Sequence, residues 1–361
     1  MKAAVFRSAG APLDIEDIEL DVLGPRQTRI RMLATQVCRT DARVAVGDLS
    51  NGTDPTVLGH SGVGIVEAIG EAVTQVAVGD RVVISGSPEC GECFWCASGR
   101  PDQCVQGFSP FNYVGATTEG ARYRAAANVG SYAQYTIVPE HHLTPTRTSL
   151  SDEQLGLIGC GLVCSYATVK NVAQVAQGDI VAIVGLGSFG LWTLQSAKLA
   201  GASRIFAIEP NAVRRELALS LGATDVIDPA DTDPVQRIID ETEGRGADIA
   251  IETAGAPEAA ETAFGATRRG GTVVITGMSE QAAAVTLPYI PLAVFAKTVK
   301  GSQGGIHSRS EDIPAVIRLL EEGKLITDPL VTSRYTLAEV NDALAASNAL
   351  RDVSALVFPN P

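Results

Sequence analysis

Seven cysteines are spread over the 361 residues, and four of them crowd into one short segment, CGECFWCASGRPDQC. Cys90, Cys93, Cys96 and Cys104 stand at separations that tight turns can fold onto a single tetrahedral cation. Four thiolates with no open position make a closed, structural zinc site. Disulfides are the competing chemistry for clustered thiols, but they belong mainly to small secreted domains. The amino terminus MKAAVFRSAG reads as a strand and a turn without the apolar core of a signal peptide, so a cytoplasmic location is expected.

A second chemistry is written in glycines. Gly185, Gly187 and Gly190, with Ser188 and Phe189 among them, form G-L-G-S-F-G directly after an apolar run and directly before a helical stretch. Such glycines permit a tight turn, close approach of backbone to a pyrophosphate and close packing of helix on strand, while the helix amino terminus offers free N–H groups to the phosphates. Glu209 ends the next apolar run, where a carboxylate accepts hydrogen bonds from the adenosine ribose and repels a 2′-phosphate. NAD is therefore expected as cofactor, in preference to NADP. Arg214 and Arg215 lie just beyond and could accommodate such a phosphate, but they read better as solvated charges on a surface helix.

The remaining cysteines are Cys38, Cys160 and Cys164, and His60 sits in the glycine-rich LGHSGVGIV. Two thiolates and one imidazole leave a fourth position open, as catalytic zinc requires. Spacing alone does not decide between such a site and buried structural cysteines, because these residues lie far apart in the chain. His141, His142 and His307 read as surface or loop residues.

The elements that must position these groups fall into two patterns. Residues 1 to about 157 carry short β-type runs broken by glycine, such as Gly62–Ile69 and 80–84, which predicts a barrel-like antiparallel β domain. From about 165, apolar strands alternate with helices: IVAIVG, a helix over 189–200, RIFAIEP, a helix over 211–221, then ADIAIETAG and GTVVITG. That alternation predicts an α/β domain with a doubly wound parallel sheet. A helix over 311–322 and a strand at SALVF return to the first domain, so the boundaries are 1–161, 162–302 and 303–361. Residues 105–130 look irregular and are a candidate substrate loop, together with 44–52 and 278–296. Phe94, Phe108, Phe111 and Tyr113 could line an apolar pocket there, or serve packing alone.

Composition narrows the class of partner. A net charge of -13 repels phosphate backbones and anionic lipid, and no apolar run approaches the roughly 20 residues that span a bilayer. Nucleic acid and membrane are excluded as partners, and a small molecule is expected.

Five motifs carry a wider resemblance: VCRTD at 37–41, GHSGVGIVEAIG at 59–70, the CGECFWC segment, IGCGLVCSY at 158–166 and VGLGSFG at 184–190. In this order, over essentially the whole chain, they resemble the zinc-containing alcohol dehydrogenases of the medium-chain dehydrogenase/reductase family. The resemblance implies a GroES-like catalytic domain beside a Rossmann domain, with two zinc ions per chain. Cys38, His60 and Cys160 would hold the catalytic zinc, and Cys90, Cys93, Cys96 and Cys104 the lobe zinc. Thr40 matches the hydroxyl that bonds to the substrate oxygen, and Asp41 the carboxylate that orients the histidine ligand. Arg39 and Arg351 match arginines at the pyrophosphate, and Phe189 a side chain packed on the nicotinamide. Cys164 falls near the nicotinamide contact and reads as packing.

Two positions depart from the family. Ser61 stands where GHE would supply a glutamate, and Arg43 where a histidine would pass the proton to solvent. Arginine stays protonated, so a relay from Thr40 through the cofactor ribose directly to water is expected, with Arg43 free to clamp phosphates. The activity implied is reversible hydride transfer between NAD and an alcohol or aldehyde, by a homodimer or homotetramer. Reduction of a conjugated C=C or C=N bond is the alternative, and a non-redox zinc protein that retains NAD is the third reading.

Overall fold

The structure is a computed structural model describing residues 1–49, 55–107, 110–117 and 120–360. The chain forms two compact units, Met1–Val163 with Ser308–Pro361, and Cys164–His307.

In the first unit the strand Gln27–Gln36 alternates as QTRIRMLATQ, and Thr28, Ile30, Met32 and Ala34 are fully buried while Arg29 and Arg31 stay partly exposed. Period-two burial of this kind fixes both strand and register. It is the spine of a seven-stranded sheet, ordered Leu143–Pro145, Arg81–Ile84, Gly62–Ile69, Gln27–Gln36, Ser354–Phe358 and Val331–Thr336, with Tyr135–Pro139 also paired to the spine. A six-stranded sheet runs Asp14–Asp17, Lys2–Phe6, Thr56–Val57, Arg122–Ala125, Tyr113–Ala116 and Glu19–Leu20. Both are mainly antiparallel. The exceptions are the parallel pairs of Thr56–Val57 with Arg122–Ala125 and of Val331–Thr336 with Ser354–Phe358.

The stretch 105–130 is less irregular than its composition suggests. It contributes the strands Tyr113–Ala116 and Arg122–Ala125 to the six-stranded sheet. Four-residue strands interrupted by glycine and arginine are too short to show a period, which is why the sequence pattern hides them.

The second unit is a six-stranded, wholly parallel sheet ordered Asp225–Ile227, Arg204–Ile208, Ile180–Val184, Ala247–Glu252, Thr267–Ile275 and Thr298–Gly301. The central strand IVAIV is an unbroken apolar run, as a strand covered on both faces must be. Helix Ser188–Leu199 follows it, and every residue from Gly190 to Ala197 is buried, which marks a helix packed on several sides. Helix Ala212–Leu221 starts where the Asn211 side chain accepts the Arg214 N–H and stops at Gly222 in the left-handed region. Among the described residues no helix is long and apolar enough to cross a membrane.

Candidate metal and cofactor sites

Three elements of the first unit converge on one cluster. Cys38 caps the amino end of helix Arg39–Val46, His60 precedes strand Gly62–Ile69, and Cys160 sits in the π-helical turn Ile158–Leu162. Wide turns of this type recur at functional sites. The Cys160 turn lies hard against the sheet, since a Cβ on Gly159 would come 1.9 Å from the Ile84 carbonyl oxygen. Only glycine fits there.

The donor atoms of Cys38, His60 and Cys160 lie within 4.8 Å of one another, with His60 Nε2 3.4 Å from Cys160 Sγ. Tetrahedral zinc with ordinary Zn–S and Zn–N lengths would place sulfur and nitrogen about 3.5 Å apart. The residues fit the metal. Burial alone would lower the His60 imidazole, but the Asp41 carboxylate and the Cys38 thiolate hold it well above the usual histidine range. Hydrogen bonding with Cys160, followed by His60 and the Thr40 hydroxyl, holds the Cys38 thiol well below the usual thiol range against the upward push of burial. Such a cluster stabilises positive charge at its centre, as a cation site must.

Behind the imidazole stands Asp41, which is almost fully buried. Its carboxylate lies 3.2 Å and 3.1 Å from His60 Nδ1 through its two oxygens, and it also accepts the Gly59 N–H at 3.0 Å and the Tyr132 hydroxyl at 3.2 Å. Carboxylates in this position fix the histidine tautomer that binds metal. Burial beside that carboxylate pushes the Tyr132 phenol well above its usual value, so it stays a donor. Tyr132 was invisible in the sequence, because no spacing rule links it to His60. The Cys160 turn has a brace of its own, the Gly161 N–H donated to Gln36 Oε1 at 3.3 Å. Ser61 is buried, and its hydroxyl has no hydrogen-bond partner among the described residues.

The second cluster joins Cys90, Cys93, Cys96 and Cys104, with Cys90 and Cys96 sulfurs 3.9 Å apart and all seven cysteines free of disulfides. Four sulfurs on one zinc stand roughly 3.8 Å apart. Backbone N–H donors draw the Cys93 thiol down to about 6, whereas burial pushes Cys104 up to about 12. Thiols so unequal become four thiolates together only when a cation displaces their protons. Asp102 buries its carboxylate between them in sequence and takes a two-pronged ion pair from Arg100 at 2.8 and 2.7 Å, which shapes the loop leading to Cys104. Phe94 and Trp95 pack edge to face on each other and are exposed, so Phe94 belongs to the lobe surface rather than to a pocket. Phe108 and residues 50–52 lie outside the described residues.

In the second unit the glycine turn has the expected form. Gly185 takes φ +97°, and a Cβ on Gly190 would come 2.0 Å from the Gly185 carbonyl oxygen, so both must be glycine. Gly187 caps the helix Ser188–Leu199 without any side-chain cap, and a Cβ there would meet nothing within 4 Å. Open space beside uncapped helix N–H groups fits a pyrophosphate. Phe189 is half-buried in the first turn of that helix. Glu209 is buried, accepting the Leu186 N–H at 2.7 Å and the Asn211 N–H at 3.1 Å, so it braces the glycine turn as well as closing its strand.

Several sequence expectations need correction. Arg214 is buried, and Arg215 is held by Asp228 at 2.8 Å and by the carbonyls of Glu209 and Pro210, so neither is a solvated surface charge. His142 is buried in the turn Glu140–His142, its ring paired with the Ser85 carbonyl, whereas His307 lies in a loop as expected but is buried there, its ring paired with the Gly304 carbonyl. Arg39 opens the helix that follows Cys38, and Arg351 is exposed just beyond helix Val340–Asn348. Arg43, on the same helix as Thr40, has its Nε 3.9 Å from Asp48.

Comparison with known proteins agrees with this geometry. Residues 24–148 match the alcohol dehydrogenase GroES-like domain, and residues 189–322 match the zinc-binding dehydrogenase family. The chain belongs to the zinc-binding medium-chain alcohol dehydrogenase family. It is 36% identical over 352 residues to an NDMA-dependent alcohol dehydrogenase of Amycolatopsis methanolica, covering 94% of each chain. It is also 36% identical to the S-(hydroxymethyl)glutathione dehydrogenase of Synechocystis, covering 95% of each. The crystal structure of benzyl alcohol dehydrogenase from Acinetobacter calcoaceticus superposes with a TM-score of 0.91 at 31% identity, covering 99% of this chain and 98% of that one. An alcohol dehydrogenase zinc-binding domain protein from Burkholderia ambifaria gives 0.93 at 30%, covering 99% of each. This dehydrogenase is thus an oxidoreductase of the zinc alcohol dehydrogenase type, and the family implies a nicotinamide cofactor.

Proposed function

We propose that this dehydrogenase transfers a hydride reversibly between NAD(H) and an alcohol or aldehyde. The observation that carries the reading is the three-donor cluster of Cys38, His60 and Cys160, with His60 Nε2 3.4 Å from Cys160 Sγ and Asp41 behind the ring. Three protein donors would hold a zinc ion and would leave room beside it for a substrate hydroxyl or carbonyl. Zinc held there would supply Lewis acidity that lowers the pKa of an alcohol hydroxyl.

The chain's own residues do the rest. The Thr40 hydroxyl, which donates to the Cys38 sulfur, would take the alcohol proton and pass it toward the cofactor ribose and water. Asp41 holds the imidazole in one tautomer, and Arg39 and Arg351 supply positive charge for the pyrophosphate. Gly185, Gly187 and Gly190 bring backbone to the phosphates. The buried Glu209 carboxylate, and the engagement of Arg215 elsewhere, support NAD over NADP. Cys90, Cys93, Cys96 and Cys104 hold a structural zinc. The boundaries 1–161, 162–302 and 303–361 serve as the functional division of the chain.

All seven cysteines are free of disulfides and serve this reading only as thiols or thiolates, which favours a reducing, cytoplasmic setting. The exposed Tyr289, Ile290 and Val294 near the edge strand Thr298–Gly301 favour a homodimer or homotetramer. The testing experiment is a panel of alcohols, aldehydes and conjugated carbonyls with NAD and NADP, followed at the reduced-cofactor absorbance. Turnover of saturated alcohols with NAD is expected. Preference for enals or iminium compounds would favour C=C or C=N reduction instead, and the absence of any absorbance change would leave a non-redox zinc protein.

A further inference from the structure

Two carboxylates flank the central strand of the parallel sheet, and only one was legible in the sequence. Glu209 directly follows strand Arg204–Ile208 on one side of Ile180–Val184, and Glu252 ends Ala247–Glu252 on the other. Ligands of such sheets bind outside the carboxyl ends of the strands at the point where strand order reverses, one mononucleotide half to each side. The adenosine half goes with Glu209. The nicotinamide half therefore falls to the strands that follow Glu252.

Glu252 is 1% exposed. Its Oε1 accepts the Gly255 N–H at 2.6 Å and its Oε2 the Gly277 N–H at 3.1 Å, while its backbone carbonyl accepts the Thr276 N–H at 3.1 Å. These donors belong to two different loops, one after Ala247–Glu252 and one after Thr267–Ile275. The loops touch: a Cβ on Gly255, which takes φ +71°, would come 2.3 Å from the Met278 carbonyl oxygen, and one on Gly277 would come 2.2 Å from the Gly255 nitrogen. The first loop also grips the dinucleotide turn, because Thr253 Oγ1 donates to the Gly185 carbonyl at 2.7 Å and a Cβ on Gly185 would come 2.9 Å from Ala254. Among the described residues only backbone N–H groups offset the burial of this carboxyl, which raises it above the usual carboxylate range. An ionisable group buried at such a cost and held by backbone N–H groups calls for a role in shaping that backbone.

We propose that Glu252 is a positioning residue for the nicotinamide half of the cofactor, tying the loops at 253–256 and 276–278 into their cofactor-binding shape before the cofactor arrives. The inference rests on the NAD reading above. Pre-organised loops spare binding the cost of ordering them, so the carboxylate acts through affinity and not through contact with reacting atoms.

The test uses the zinc-loaded enzyme and its E252Q variant, in which the amide nitrogen faces one of the two backbone donors. Titration with NADH, followed by calorimetry, is expected to give a Kd raised about tenfold, the loss of one buried hydrogen bond. Titration with ADP, which lacks the nicotinamide half, is expected to give an unchanged Kd. Equal NADH affinity in the two proteins overturns the proposal, and so does an equal loss for ADP and NADH, which would mean general damage to the domain. Should E252Q fail to fold, hydrogen exchange in the cofactor-free wild type decides. Protected Gly255 and Gly277 amides support pre-organisation, and amides protected only after NADH is added refute it. A wild-type enzyme that binds ADP but not NADH would sink the cofactor reading itself.

Discussion

Asp41 and His60 form a clamp in which both carboxylate oxygens lie within 3.2 Å of the same imidazole nitrogen, Nδ1, and leave Nε2 to face Cys160. The tautomer that a bound metal would require is therefore set by a residue outside the three-donor cluster. Asp41→Asn keeps the shape of the side chain but removes the charge that favours the donor form of Nδ1. It is expected to weaken zinc retention at this site about 10- to 100-fold, with circular dichroism unchanged. Competition with a coloured chelator on the purified enzyme measures this, and wild-type retention would refute the clamp.

How much of this was legible beforehand depended on the range of the interaction. Cys90, Cys93, Cys96 and Cys104, and the turn Gly185 to Gly190, are local patterns of the kind that one ion or one phosphate group demands, and their residues meet within a short stretch of chain. They could be read directly. Cys38, His60 and Cys160 meet only after the sheet and the π-helical turn have formed, so spacing left them ambiguous and the family resemblance was needed to group them. Tyr132 and Glu252 could not be read at all. The partners of Glu252 are backbone N–H groups, which leave no trace in side-chain identity, and the Tyr132 hydroxyl meets Asp41 across 91 residues of sequence.

The two thiol clusters are expected to fail differently when cut. Cys160→Ala removes one of three donors from an open site, so the protein should fold, keep one zinc per chain and lose turnover. Cys96→Ala opens a closed site, so the lobe zinc should be lost and the melting midpoint should fall by roughly 10 °C, the scale of several kcal/mol in a chain of this size. Metal analysis and thermal melts on both variants check this. Equal unfolding would erase the division into catalytic and structural metal.

Arg43 gives the proton pathway a testable feature. Its side chain is 14% exposed, and its Nε and Nη1 have no hydrogen-bond partner among the described residues. It stands three residues after Thr40 on one helix, hence on the same face. Arginine does not titrate in the working range, so the wild-type enzyme has no proton acceptor at this position. Arg43→His adds a group that titrates around pH 6 to 7, and the pH profiles of kcat and kcat/KM should each gain a limb there. Profiles that coincide with the wild type would count against a relay that bypasses this residue.

His142 predicts how stability responds to acid. Its Nδ1–H donates to the Ser85 carbonyl at 2.7 Å, and its Nε2 is buried without a hydrogen-bond partner among the described residues. Burial, reinforced by the neighbouring His141, pushes its pKa down to about 3, and burial takes His141 down to about 4. In the unfolded chain both rings bind protons below about pH 6.5, whereas in the folded chain they do not until the pH is far lower. The unfolded state thus holds more protons across this window, and stability is lost as the pH falls. Between pH 6.5 and 5 the loss should reach about 2 kcal/mol for His142 alone. Protonation of the zinc ligands pulls in the same direction, so the wild-type curve by itself cannot separate the two causes. His142→Asn can, because it retains a donor for the Ser85 carbonyl and cannot take up a proton. Chemical denaturation at several pH values should show the variant less stable than the wild type near pH 7 and the gap narrowing toward pH 5. A gap of constant size would mean that this ring is not the source of the acid sensitivity.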